Sequence, residues 1–218
     1  MIGAEAVTRQ FLGAIDRAGL ETLAFPHWLI DAPFPAAVPP AITALPFAPP
    51  AIADSLGKRE THNSTRTFFS SANRSRFPVC AAVAAALQAG SVVQRLEALC
   101  GIRLAGGFLR IEYCQDSDGF WLEPHTDIGA KLFTMLIYLS SDHTSASWGT
   151  DLMTRDGAVL QRVPYRANSG FIFVPGSDTW HGFRKRPIAG VRRSLIVNYV
   201  KPEWRSRHEL AYPDRAVG

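Results

Sequence analysis

After Gly101 the apolar and polar positions fall into short bursts divided by turn residues: "GFLRIEYC", "FWLEPHTD", "LFTMLIYLS", "GTDLMT", "AVLQRV", "SGFIFVP", "WHGFRK" and "VRRSLIVNYV". Runs this short, rich in β-branched and aromatic residues and punctuated by Gly, Pro, Asn and Asp, read as strands. Eight such runs in about a hundred residues predict a sandwich or jelly roll rather than a parallel sheet.

Before Gly101 the texture is helical and loop-like. Residues near 4 to 18 carry apolar positions at helical spacing. "FPVCAAVAAALQAG" is alanine-rich and closed by Gly90, and "SVVQRLEALCG" reads as a helix capped by Ser91 and closed by Gly101. Between them "PFPAAVPPAITALPFAPPAIADSL" holds too many prolines for a long regular element. One domain is expected: a helical and loop layer over 1–101, a β core over 102–201 and a tail over 202–218, with the helices on one outer face.

Composition narrows the function classes. At 218 residues with 47% hydrophobic and 19% charged residues, the chain can bury one substantial core. Its net charge of +4 is spread among 23 basic and 19 acidic residues, without the positive stripe that nucleic acid demands, apart from "FRKRP" and "VRRS". "FRKRP" reads as a solvated edge that discourages strand pairing. Cys80, Cys100 and Cys114 have no metal-like spacing and are expected to be reduced, in a cytoplasmic protein. No apolar run is long enough to span a bilayer.

The chemistry starts at "PHTD". On a strand, residues i and i+2 project to one side, so His125 and Asp127 can share one small ligand, most simply a metal ion. H-x-D alone is commonly a solvated turn, and a third donor is needed. Of the six histidines, His181 opens a strand after a Pro-Gly turn, whereas His143 lies in an exposed loop and His208 in the polar tail. Two histidines and a carboxylate leave open positions on the metal, which suits Fe(II) better than a closed zinc tetrahedron. Eleven residues past His181, "VRRSLIVNYV" puts Arg192, Ser194, Ile196 and Asn198 on one face and Arg193, Leu195, Val197 and Tyr199 on the other. The second face is more apolar and is expected to pack outward, leaving Arg192 and Ser194 inside as a carboxylate clamp.

With H-T-D at 125–127, His181 and the R-x-S of Arg192 and Ser194 in this order, the chain from about Leu109 to Val200 resembles the Fe(II)- and 2-oxoglutarate-dependent dioxygenases, their prolyl-hydroxylase-like branch above all. The resemblance implies a mainly β fold with N-terminal helices, built on a double-stranded β-helix barrel of jelly-roll or cupin type. It implies iron held by His125, Asp127 and His181, and 2-oxoglutarate reaching Arg192 and Ser194, with Tyr138 beside the same carboxylate and Tyr113 as a second cofactor-side tyrosine. It further implies that O2 is consumed, that succinate and CO2 are released and that a C–H bond of a small molecule or a side chain is hydroxylated. Halogenating relatives carry a small residue where Asp127 stands, so oxygen insertion is expected.

Other readings stay open from the residues themselves. The same donors would serve a non-oxidative cupin-type metal enzyme, and a jelly-roll binding module without catalysis would use His181 structurally. "KRETHNSTRTFFS" reads either as a solvated loop or as a pocket mouth presenting His62, Asn63 and Arg66. Trp121 and Trp180 read as core or rim aromatics.

Overall fold

The computed structural model describes residues 2–218, apart from the side chains of residues 62–64. Its first half holds α1 (Ala4–Asp16), β1 (Gly19–Glu21), β2 (His27–Asp31), α2 (Val38–Thr43), β3 (Thr67–Phe68), α3 (Ser71–Arg76), α4 (Pro78–Gln88) and α5 (Gly90–Cys100). All eight apolar bursts then form strands: β4 (Phe108–Asp116), β5 (Leu122–His125), β6 (Lys131–Tyr138), β7 (Asp151–Met153), β8 (Val159–Arg162), β9 (Ser169–Phe173), β10 (His181–Phe183) and β11 (Arg192–Val200).

These strands make two antiparallel sheets, ordered β1-β2-β9-β6-β11-β4-β3 and β5-β10-β7-β8. From β4 to β11 the chain changes sheet at every step except β7 to β8, which is the wiring of a jelly roll. The sheets remain two layers with open edges rather than one closed barrel.

Alternation along the strands decides the layers. Leu195, Val197 and Tyr199 of β11 join Leu109, Ile111 and Tyr113 of β4 in one core with Val7 and Phe11 of α1, Val83 and Leu87 of α4, and Val92 and Leu96 of α5. The opposite face of the large sheet contributes Leu136, Tyr138, Phe171 and Phe173 to a second core, between the sheets, with Phe183, Trp148 and Leu152. The helices therefore cover one outer face, as the pattern predicted.

The structure corrects several expectations. The first hundred residues are not only helix and loop, because β2 pairs with β9 over its whole length and β3 pairs with β4. β2 and β3 are too short to show alternation, and pairing with a sheet already present makes them strands. Helix α5 starts at Gly90, not after a Ser91 cap: the Ala89 carbonyl accepts from the amides of Val92 and Val93, and no side chain caps it. Gly101 does close it, in the left-handed region at φ 66°. "FRKRP" is only partly solvated, since Arg186 reaches back to buried Asp151 at 2.6 Å and lies 3.8 Å over the Phe183 ring.

The tail is no loose end. Ala211 donates its amide to the Leu109 carbonyl and Leu210 bridges to Arg110, which brings 204–209 against the large sheet. No single helix among the described residues is long and apolar enough to cross a membrane.

Candidate active site

β5 and β10 are neighbours in the small sheet, and their register sets His125 opposite His181. The two imidazole rings lie 4.4 Å apart between centroids. In each, Nδ1 sits 2.9 Å from a backbone carbonyl two residues back, that of Glu123 and that of Thr179. A carbonyl can only accept, so Nδ1 carries the hydrogen, and in the neutral ring that leaves Nε2 with the lone pair through which histidine binds a metal. Burial, and next the neighbouring His125, push the His181 imidazole down to about 4, so it is neutral at physiological pH.

Asp127 lies two residues past the end of β5 and faces the same cavity. Its Oδ1 accepts from Lys131 Nζ and its Oδ2 from Thr134 Oγ1, both at 2.5 Å. Burial would raise its carboxyl, but Lys131 and His181 outweigh that and hold it down at about 2. Among the described residues no three His, Cys, Asp or Glu side chains stand close enough to enclose an ion as they are. The two imidazoles could be joined on a metal by the Asp127 carboxylate, whose charge Lys131 balances here.

The cavity has a volume of about 670 Å³ and lies against the inner face of β11 and β4. Arg192 lines it, buried, and donates from Nε to the Trp148 carbonyl at 2.7 Å and from Nη1 to Asp116 at 2.6 Å. Ser194 is beside it on the same face, with a buried hydroxyl that has no hydrogen-bond partner among the described residues. Ser194 is fully buried and is not among the residues lining the cavity, so its orphaned hydroxyl stands beside Arg192 behind the cavity wall.

Tyr138 pairs with Ser194 in register and faces inward, as expected. Its hydroxyl is engaged with Thr150, donating to Oγ1 at 2.9 Å and accepting from the amide at 3.1 Å, so Thr150 and not Tyr138 lines the cavity. Tyr113 is a correction. It pairs with Leu195 and points into the helix-facing core with Ile111 and Val197, its ring on the far side of the sheet from the cavity. Burial pushes its phenol up to about 12, against the lowering effect of Arg193 beside it. Strand alternation rules it out, because "LRIEYCQD" groups Tyr113 with Leu109 and Ile111.

The other face of that strand holds what sequence reasoning missed. Arg110, Glu112 and Asp116 are all buried on the cavity side. Arg110 donates to Glu209 at 2.6 Å, Asn198 at 3.1 Å and Glu112 at 2.8 Å, and Arg66 clasps Glu112 through two bonds of 2.9 and 2.7 Å. Asn198 in turn donates to Thr134 Oγ1 at 2.9 Å, so one chain of bonds runs from Glu209 to Asp127. Three like-sided charges on an otherwise apolar strand were the available signal. Trp204, Ser206, His208 and Glu209 of the tail and Arg66 also line the cavity, which reverses the reading of His208 as tail only. His62 and Asn63 have side chains outside the described residues.

Known structures decide what fold this is. A prolyl-4-hydroxylase from Pseudomonas putida superposes with a TM-score of 0.57 at 14% identity, covering 89% of this chain and 92% of that one. This chain has the fold of the prolyl-hydroxylase-like dioxygenases. A viral collagen prolyl hydroxylase from Paramecium Bursaria Chlorella virus-1, in complex with 2OG, gives 0.53 at 10% identity over 80% of this chain and 94% of that one. HygX from Streptomyces hygroscopicus, with iron bound, gives 0.51 at 14% identity over 88% and 86%. At such identities the likeness is one of fold. No protein-family model matches the sequence, and no curated protein matches it significantly.

Proposed function

We propose that the protein is an Fe(II)- and 2-oxoglutarate-dependent dioxygenase that hydroxylates a C–H bond of a small molecule or a side chain. The observation that carries this reading is the His125–His181 pair, both rings fixed with Nε2 available, in one cavity with Asp127 and Arg192. Solved proteins of the same fold that hold iron or 2OG support it.

In this reading His125, His181 and Asp127 hold the iron, and Arg192 with Ser194 receives the far carboxylate of 2-oxoglutarate. The bound pair supplies O2 activation, with the co-substrate lost as succinate and CO2. The chain itself orients and insulates. The carbonyls of Glu123 and Thr179 fix the imidazoles, Thr134 fixes the Asp127 carboxylate, and Phe173, 5.0 Å from the His181 ring, excludes water on one side. The ionic wall of Arg110, Glu112 and Arg66 faces the remaining space and favours a polar substrate.

Anaerobic addition of Fe(II) and 2-oxoglutarate should give a weak visible charge-transfer band that is absent with either alone. No band at saturating concentrations favours the non-oxidative metal enzyme, which needs the same histidines but no dicarboxylate.

A further inference from the structure

Among the described residues three ionic clusters place cationic side chains on the cavity wall, and their charges do not balance equally. Arg66 and Arg110 are matched by Glu112 and Glu209, and Lys131 is matched by Asp127. The third cluster has two guanidiniums for one carboxylate: Arg59 Nη1 lies 3.0 Å from Asp116 Oδ1, and Arg192 Nη1 lies 2.6 Å from Asp116 Oδ2. Its side chains are 19%, 3% and 3% exposed for Arg59, Asp116 and Arg192, so bulk water does little to spread the surplus charge.

The two guanidiniums are also held from below. Arg59 lies 4.7 Å over the Phe120 ring and Arg192 4.7 Å over the Phe183 ring, and these rings are 5.8 Å apart. Both arginines line the cavity, and each binds Asp116 through a single nitrogen. Burial alone would lower the Arg59 guanidinium, yet the Asp116 charge and nearby acidic groups hold it above its ordinary range.

We propose that Arg59 is a second guanidinium of the carboxylate subsite, sharing Asp116 with Arg192, so that the trio lacks one negative charge, which the far carboxylate of the co-substrate supplies. This rests on the proposed use of 2-oxoglutarate. Arg59, with Gly57, Lys58 and Glu60, belongs to a segment that lines the cavity and is 133 residues from Arg192, so the subsite joins that segment to the core sheet through one buried carboxylate.

The test is anaerobic calorimetry of the Mn(II)-loaded protein with 2-oxoglutarate and with 2-oxobutyrate, a keto acid without the far carboxylate. Arg59→Met should weaken 2-oxoglutarate on the order of 10- to 100-fold, as for loss of a charge-assisted contact. It should leave 2-oxobutyrate unchanged, and Arg59→Lys should recover most of the loss. Unchanged 2-oxoglutarate binding in Arg59→Met, or equal loss in the Lys variant, overturns the inference. Should Arg192→Met weaken binding and Arg59→Met not, only Arg59 falls, whereas no binding of 2-oxoglutarate by the unmodified protein removes the proposed function as well. In the unmodified chain, saturating 2-oxoglutarate should slow phenylglyoxal modification of Arg59, read by peptide mass mapping, and equal rates would contradict the proposal.

Discussion

Thr134 is the hinge between the candidate metal carboxylate and the buried network, and replacing it by valine tests that link with almost no change of shape. The side chain is 2% exposed. Its hydroxyl donates to Asp127 at 2.5 Å and accepts from Asn198 at 2.9 Å. Valine removes both bonds, but Asn198 keeps Arg110 and the Phe133 carbonyl, and Asp127 keeps Lys131. The main loss is one hydrogen bond to a charged acceptor, about 2 to 3 kcal/mol. Urea unfolding of the metal-free Thr134→Val protein, followed by tryptophan fluorescence, should show a fall of that size, and Thr134→Ser should recover most of it. Anaerobic titration with Mn(II) should show affinity reduced about 10- to 100-fold, as when a group orienting a ligand is removed. A valine protein that binds Mn(II) like the unmodified protein while losing the expected stability would mean that Asp127 does not serve the metal.

Two further outcomes follow from the geometry. Arg192→Met should lower unfolding free energy by about 3 kcal/mol, since it breaks a buried pair that Arg59 only partly restores, while Arg193→Met should cost under about 1 kcal/mol; the reverse order in urea titrations would put the register of β11 wrong by one residue. The metal-free protein should also lose stability in acid through His181. Its ordinary value of 6.5 falls to about 4 on folding, so the unfolded chain takes up the proton first, and the contribution is present above 6.5 and lost as pH falls to about 4. The loss should approach about 3 kcal/mol and be missing from His181→Asn; a flat profile across that window in both proteins would show that this ring is not held neutral by burial.

How much of this was legible in the sequence follows from where the information sits. Alternation is local, so the strands of the core and the opposite faces of Arg192 and Arg193 could be read directly. The same rule applied to "LRIEYCQD" would have removed Tyr113 from the cofactor side and flagged Arg110, Glu112 and Asp116. Pairing is not local. β2 is a strand because β9 accepts it, and His208 reaches the cavity because the tail docks on β4. The Arg59–Asp116–Arg192 trio joins three distant segments, and no spacing rule predicts it. Ser91 misled because a capping residue was present one position inside a helix that the Ala89 carbonyl had already started.

The central claim is that this cavity turns over 2-oxoglutarate at a metal held by the His125–His181 pair. Succinate released from 2-oxoglutarate by the purified protein, with Fe(II) and air and no added substrate, measures that most directly. Slow production that stops without iron or oxygen and is abolished in His181→Ala is the expected result. No succinate from the unmodified protein at saturating iron and 2-oxoglutarate, or the same yield from His181→Ala, would contradict it.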